Sequence, residues 1–333
     1  MKKLLIHILV LFLSVNLFTG CTSAKTQIAY TVYPIGFLAE RIMGTDEYLV
    51  PIQENVVVQR ATLKSNYEEI LENSAVFIHI GQMEPYLSMY NSKFNSIISS
   101  QIDLSVLNAV YDFNRYTPVT VGDTVTYIES TYYKGEVFDH IDVDTKDLYL
   151  WIDPIAMLSM AKNIRDWLIG YFPDNQALFN ENYKKLETEL INLDAQYQSL
   201  ATANTKENKQ IRFVTMTASF GNWQKTYGFE VYPVILSKYG VLPNKAQLEI
   251  IKQRIIDDHV KYIVYEPNMT PDMITLFYQL EDELDLKRVE MSNLSSLTEN
   301  EEELGKDYLS IMYENLKTLE TMTEDRAVVQ ETE

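Results

Sequence analysis

Between Gln176 and Leu200 the apolar side chains fall at Phe179, Tyr183, Leu186, Leu190, Leu193, Tyr197 and Leu200, in alternating steps of four and three. That spacing keeps one side of a helix apolar along its whole length. Pro173 and Asp174 just ahead of it suit a helix start. The polar run at residues 202–208 predicts a loop after it. At the usual rise per residue such a helix is roughly 37 Å long, enough to cross a domain. The same spacing also fits a coiled-coil seam. The patterns on either side favour a strut joining two lobes.

Before the strut, β-rich or all-apolar runs at residues 28–33, 48–52, 75–80 and 104–110 predict strands. Helices are expected at 37–43, 63–72 and 155–169. Residues 113–147 are rich in Thr, Tyr, Val and Asp without helical spacing, which predicts a β-hairpin or a mobile flap. After the strut, strands are expected at 211–216, 231–236, 262–265 and 287–291, with helices at 219–227, 244–258, 271–284 and 302–319. Strands alternating with helices predict an α/β fold of two lobes, each a mainly parallel sheet flanked by helices. The divisions are a first lobe at 28–172, a connecting helix at 173–200, a second lobe at 201–322 and a disordered tail at 323–333. Ligands of open α/β sheets sit beyond the carboxyl ends of the strands, so the expected ligand cleft lies between the lobes.

The amino terminus changes the picture from fold to location. Lys2 and Lys3 precede a short apolar run, and small residues lead to the only cysteine, Cys21. This predicts a secretory signal peptide at residues 1–20. The run is too short to span a bilayer as a helix. Leu17-Phe18-Thr19-Gly20-Cys21 resembles the bacterial lipobox, with Phe18 a departure from the usual Leu. The resemblance implies lipidation of Cys21, a tether at 21–27, and a protein exported to the outer face of a bacterial cytoplasmic membrane. An uncleaved anchor or a buried free thiol is the plainer alternative.

The chain of 333 residues carries 28 basic and 47 acidic side chains, a net charge of −19. Loss of residues 1–20 removes Lys2 and Lys3 and leaves 26 basic residues, a net charge of −21. Such a balance argues against nucleic acid and against contact with anionic lipid through basic residues. Tyrosine is abundant, at 23 residues, with no pattern that accounts for it. No phosphate-cradling glycine loop, nucleophile elbow or metalloprotease helix is present, so no enzyme is expected.

Several segments, in order, carry a family resemblance. These are Tyr33-Pro34, Gly81 through Leu87, Leu150-Trp151-Ile152-Asp153-Pro154, Phe172-Pro173-Asp174-Asn175, Phe213-Val214-Thr215, Tyr227-Gly228, and Val260 through Pro267. Over residues 28–320 the chain resembles the lipid-anchored substrate-binding proteins of zinc and manganese ABC importers. The resemblance implies two lobes joined by a rigid helix, a monomer, an ABC permease partner, and a metal held by histidines and a carboxylate in the cleft. Imidazole and carboxylate suit zinc or manganese. Those metals enter only through the resemblance, and no cofactor is read from the residues themselves.

On the register of those segments, the family's metal ligands fall at Val58, Tyr149, Thr217 and, within about one residue, Ser292. Valine cannot coordinate a cation, and uncharged hydroxyls are poor ligands for one of borderline softness. Arg60, Trp223 and Glu266 are further cleft candidates, with Glu266 placed to hold an ammonium or hydroxyl group or to pair with Arg60. Asp139, His140, Asp142 and Asp144 form the weak alternative metal set, and a solvated acidic loop is its plainer reading. His79 and His259 read as structural. The functions carried forward are a solute-binding lipoprotein without the usual metal ligands, a surface adhesin or accessory interaction protein, and a binder of a small organic ligand.

Overall fold

The computed structural model describes residues 25–54, 57–121 and 124–325. Cys21 and the expected signal peptide lie outside the described residues. The first half builds a parallel sheet from β1 (Gln27–Tyr30), β2 (Leu49–Pro51), β3 (Ser74–His79) and β4 (Gln101–Asp103), ordered β2-β1-β3-β4. Val76, Phe77 and Ile78 of β3 are all fully buried, as a strand covered on both faces requires. The fourth strand lies ahead of the predicted 104–110. Of that run only Leu104 is buried among its leucines and valines, whereas Val106 and Leu107 are 76% and 53% exposed. Helices α1 (Tyr33–Met43), α2 (Tyr67–Asn73), α3 (Pro85–Met89) and α4 (Asn91–Ile97) link these strands. Helix α1 has Pro34 in its first turn and ends at Gly44, whose φ of 78° suits glycine.

Residues 113–147 do contain a hairpin, β5 (Arg115–Val121) against β6 (Thr124–Ser130). Its location differs from the expected lobe assignment. Phe113, Tyr132, Tyr133 and Phe138 pack with Val214, Met216, Tyr232 and Val234 of the second half. The chain then returns to the first lobe for α5 (Pro154–Tyr171), whose first turn is capped by the Asp153 carboxylate accepting from the Ile155 and Ala156 amides.

The strut is α6 (Gln176–Lys206), 31 residues long and so about 46 Å. It buries Phe179, Tyr183, Leu186, Leu190, Leu193 and Tyr197, the predicted stripe without Leu200. It also runs through most of the segment expected to be a loop. Residues 202–206 hold no glycine or proline, Ala203 favours helix, and Asn204 is buried.

In the second half β7 (Lys209–Thr217) pairs in parallel with β8 (Glu230–Ile235) and β9 (Tyr262–Tyr265), and β9 pairs in parallel with β10 (Lys287–Glu290). Strand β11 (Thr323–Asp325) runs antiparallel to β7. Those three residues were expected in a disordered tail; their backbone bonds to the sheet instead, and 326–333 lie outside the described residues. The flanking helices are α7 (Asn222–Tyr227), α8 (Lys245–Asp257), α9 (Pro271–Glu283), α10 (Glu299–Glu303) and α11 (Tyr308–Thr321). The predicted closing helix is therefore two helices, separated at Gly305 with φ of 64° and restarted by an Asp307 capping box.

The largest apolar cluster spans both lobes, beside a smaller one in each half. The largest joins Ile28, Val58, Trp151 and Ile164 to Phe213, Trp223, Met291 and Tyr308, with the strut's buried stripe among them. Among the described residues no helix is long and apolar enough to cross a membrane.

Candidate functional site: the junction of the two lobes

The carboxyl ends of the second lobe's strands converge on Glu266. Thr217 ends β7, Glu266 follows β9 directly, and Asn293 lies just beyond β10. Glu266 is fully buried. One carboxylate oxygen accepts from the Thr217 amide at 2.9 Å. The other accepts from the Thr217 hydroxyl at 2.5 Å, the Ser219 hydroxyl at 3.0 Å and the Asn293 amide nitrogen at 2.9 Å. Burial pushes the Glu266 carboxyl above its usual range, and these hydrogen bonds oppose the shift. Four donors use most of the lone pairs that a carboxylate offers.

The first lobe closes over this carboxylate with its 3₁₀ turn Leu150–Ile152, all three residues fully buried. Trp151 donates its indole N–H to the Asn293 carbonyl at 2.7 Å, and its own carbonyl accepts from the Tyr308 hydroxyl at 2.6 Å. Trp223 donates to the Ile152 carbonyl at 2.8 Å. Asn222 donates to the Tyr149 carbonyl at 3.1 Å, and the Tyr33 amide to the Ser295 carbonyl at 3.2 Å.

Val58, Tyr149, Thr217 and Ser292 are all buried here, at 1%, 7%, 0% and 6% exposure. Val58 opens the 3₁₀ turn Val58–Arg60 and packs in the shared core. Tyr149 packs against Trp151 with ring centres 5.1 Å apart. Burial first, and then the Glu266 carboxylate, push its phenol well above the usual range. The Ser292 hydroxyl accepts from the Leu294 amide at 3.1 Å, and its own amide donates to Asn315 at 3.0 Å. Trp223 does not face open space; it is fully buried between Tyr197, Phe220 and Phe229.

The expected pairing of Arg60 with Glu266 does not occur. Arg60 is partly exposed and donates to the Gly240 carbonyl at 2.7 Å and to Asp272 at 3.1 Å. A guanidinium that reaches water costs less than one taken to a fully buried carboxylate. The acidic set is also dispersed: Asp139, His140 and Asp142 are not buried, and Asp144 is half-buried, pushed by desolvation to about 6. Among the described residues no three His, Cys, Asp or Glu side chains form a group able to hold a metal. His79 bonds the Gly81 carbonyl at 2.8 Å and stacks on Phe77, and His259 is exposed.

Two polar groups of the junction, Ser219 and Asn293, escaped the sequence reading, and Asp147, the last carboxylate of the acidic run before Tyr149, joins them there. Ser219 and Asn293 sit just past strand ends, the same signal that picked out Glu266. Asp147 is fully enclosed, accepts from the Tyr149 amide at 3.1 Å, and is pushed up to about 7 by burial. Gly221 lies so close that a Cβ there would meet the Asp147 carboxylate at 2.2 Å. A cavity of about 270 Å³ opens nearby, lined by Gln82, Met83 and Pro85 from the first lobe and by Asp144, Lys238 and Tyr239.

The profile described as "Zinc-uptake complex component A periplasmic" (ZnuA) matches residues 28–322. The chain belongs to the ZnuA family. Members of this family are solute-binding proteins, and the ZnuA-type fold of two α/β lobes on one long helix is the fold described above. The zinc-binding lipoprotein AdcA of Streptococcus pneumoniae is 27% identical over 190 residues, 57% of this chain and 36% of that protein. ZnuA of Bacillus subtilis, a high-affinity zinc uptake system protein, is 28% identical over 173 residues, 52% of each chain. Among solved structures, the periplasmic zinc-binding protein TroA of Treponema pallidum superposes with a TM-score of 0.69 at 17% identity, over 90% of this chain and 99% of that one. The matched region is about a third of the streptococcal relative's length.

Proposed function

We propose that this chain is an extracytoplasmic solute-binding lipoprotein of the ZnuA family in which a hydrogen-bonded polar core has replaced the interlobe metal site. Cys21 anchors it to the outer face of a bacterial cytoplasmic membrane, and an ABC permease is its partner. Family membership and the lipobox-like sequence before Cys21 support the location and the partner. One observation carries the loss of metal: the Glu266 carboxylate already accepts four hydrogen bonds, from Thr217, Ser219 and Asn293.

The residues at the four ligand positions do not fit a divalent cation. Val58 has no donor atom. Thr217 and Ser292 offer hydroxyls already engaged in local bonds. Tyr149 would have to ionise to bind a metal well, and its surroundings oppose that. A cation binding the oxygen that accepts from Thr217, Ser219 and Asn293 would displace donors from it and leave them buried and unpaired.

Elemental analysis of the chain from Thr22 onward, purified without chelator, tests this reading. The expected result is well below one zinc or manganese per chain. Stoichiometric metal that is lost when Glu266 is changed to Gln would overturn it.

A further inference from the structure

The excursion at residues 111–147 leaves the first lobe, docks on the second and comes back. Its neck is closed by bonds between its own two ends. The Phe113 amide donates to the Thr145 carbonyl at 3.1 Å, and the Asp147 amide to the Tyr111 carbonyl at 3.0 Å. Lys146 also pairs with Asp112 at 2.6 Å. The chain enters this neck from β4, which is paired to β3. It leaves through Leu148 and Tyr149 into the shared core.

The body of the excursion is fastened to the second lobe by three kinds of contact. The first is apolar, the packing of Phe113, Tyr132 and Tyr133 against β7 and β8. The second is a buried charge cluster. Arg115, 6% exposed at its side chain, lies 3.1 Å from Glu230, 3.2 Å from Asp258 and 3.0 Å from the Tyr232 hydroxyl. The third is a cage of three tyrosines around a lysine of the other lobe. The Lys225 ammonium lies 4.6 Å from the Tyr116 ring centre, 5.5 Å from Tyr127 and 5.8 Å from Tyr111. Further bonds run from Tyr133 to the Pro233 carbonyl at 2.8 Å and from Lys238 to the Asp142 carbonyl at 2.9 Å.

Two lobes that open about a hinge need few other ties between them. Here the strut is joined by a second connection that is rooted in one lobe and locked to the other. Separating the lobes would pull Arg115 from two carboxylates or peel the tyrosine cage off Lys225. Either step gives up attractive contacts that the closed arrangement holds. We propose that residues 111–147 are a strap that holds the lobes closed in the absence of any ligand, with Arg115 and Lys225 as its two fastenings. A permease would then meet the same closed face whether or not a solute is present. The strap does not depend on what the junction holds, since its fastenings lie apart from Glu266.

The test is a distance measurement between spin labels, one on each lobe, in the chain from Thr22 onward, which contains every described residue. Exposed Asn95 and Gln253, each changed to Cys, carry the labels. The strap predicts one narrow distance distribution, unchanged by chelator or by zinc. Lys225→Ala is expected to broaden it and lengthen its mean, and Lys225→Arg, which keeps a cation over the rings, to restore it. Arg115→Ala should act in the same direction. Lys225→Ala is a partly exposed change that decides the matter if Arg115→Ala does not fold. A wild-type chain that populates two distances without ligand would overturn the strap, as would a folded Lys225→Ala variant with the wild-type distribution.

Discussion

The Glu266 carboxylate sits where no water reaches it and depends on four protein donors. Glu266→Gln puts an amide N–H₂ among groups arranged to donate, so at least one donor loses its acceptor. An unsatisfied buried polar group costs about 1–3 kcal/mol, and denaturant unfolding should show a loss of that size. An unchanged midpoint would mean that the network is not tightly made. Asp147 offers a second test. Burial pushes it and Glu84 each up to about 7, and Asp144 up to about 6. A carboxyl whose pKa is raised on folding keeps its proton longer in the folded state than in the unfolded one. Its contribution to stability is complete below the unfolded value of about 4 and is lost as pH rises through the folded value. These groups therefore lower stability between about pH 4 and pH 7. Asp147→Asn should melt close to wild type near pH 4 and above it near pH 8. An identical pH slope in both proteins would contradict the assignment.

Among the elements, α6 tests how far local pattern can be trusted. Residues 202–206 look like a loop because Thr and Asn dominate them, yet they continue the helix. Ala203→Gly is the discriminating change, because that side chain is exposed and packing does not confuse the result. In a helix interior it should cost about 1 kcal/mol; in a loop it should cost close to nothing. Chemical denaturation reads the difference directly. The strut's stripe was legible because its burial follows from a period of four and three. Strand β9 was legible because Tyr262 to Tyr265 is an isolated apolar run. Glu266 was legible as the residue after that strand. Its partners were not, since Thr217 and Asn293 meet it only when three strand ends are brought together. The fourth strand was misplaced because Val106 and Leu107 are apolar letters at exposed positions.

At the scale of the whole molecule, the largest departure from the sequence reading is the path of residues 111–147. Nothing local distinguishes a hairpin that stays with its lobe from one that crosses to the other. The deciding contacts, such as Arg115 with Glu230 and Asp258, span more than a hundred residues. The same crossing accounts for part of the tyrosine excess, because Tyr111, Tyr116, Tyr127, Tyr132 and Tyr133 all serve the docked segment. A ring with a hydroxyl suits such a place, since it buries area and still satisfies a polar neighbour. The junction itself belongs to the shared core, with Trp151 and Trp223 buried in the cluster that spans both lobes.

Thermal unfolding of the chain from Thr22 onward, stripped with chelator and titrated with zinc and then manganese, tests the proposed loss of the metal site most directly. A ligand at a hundred times its dissociation constant stabilises a fold by about 2.7 kcal/mol, which raises the midpoint of a protein this size by about 4 °C. The polar core at Glu266 predicts a midpoint that neither metal moves. A saturable rise with either metal, abolished by Glu266→Gln, would contradict it and return a metal to the junction.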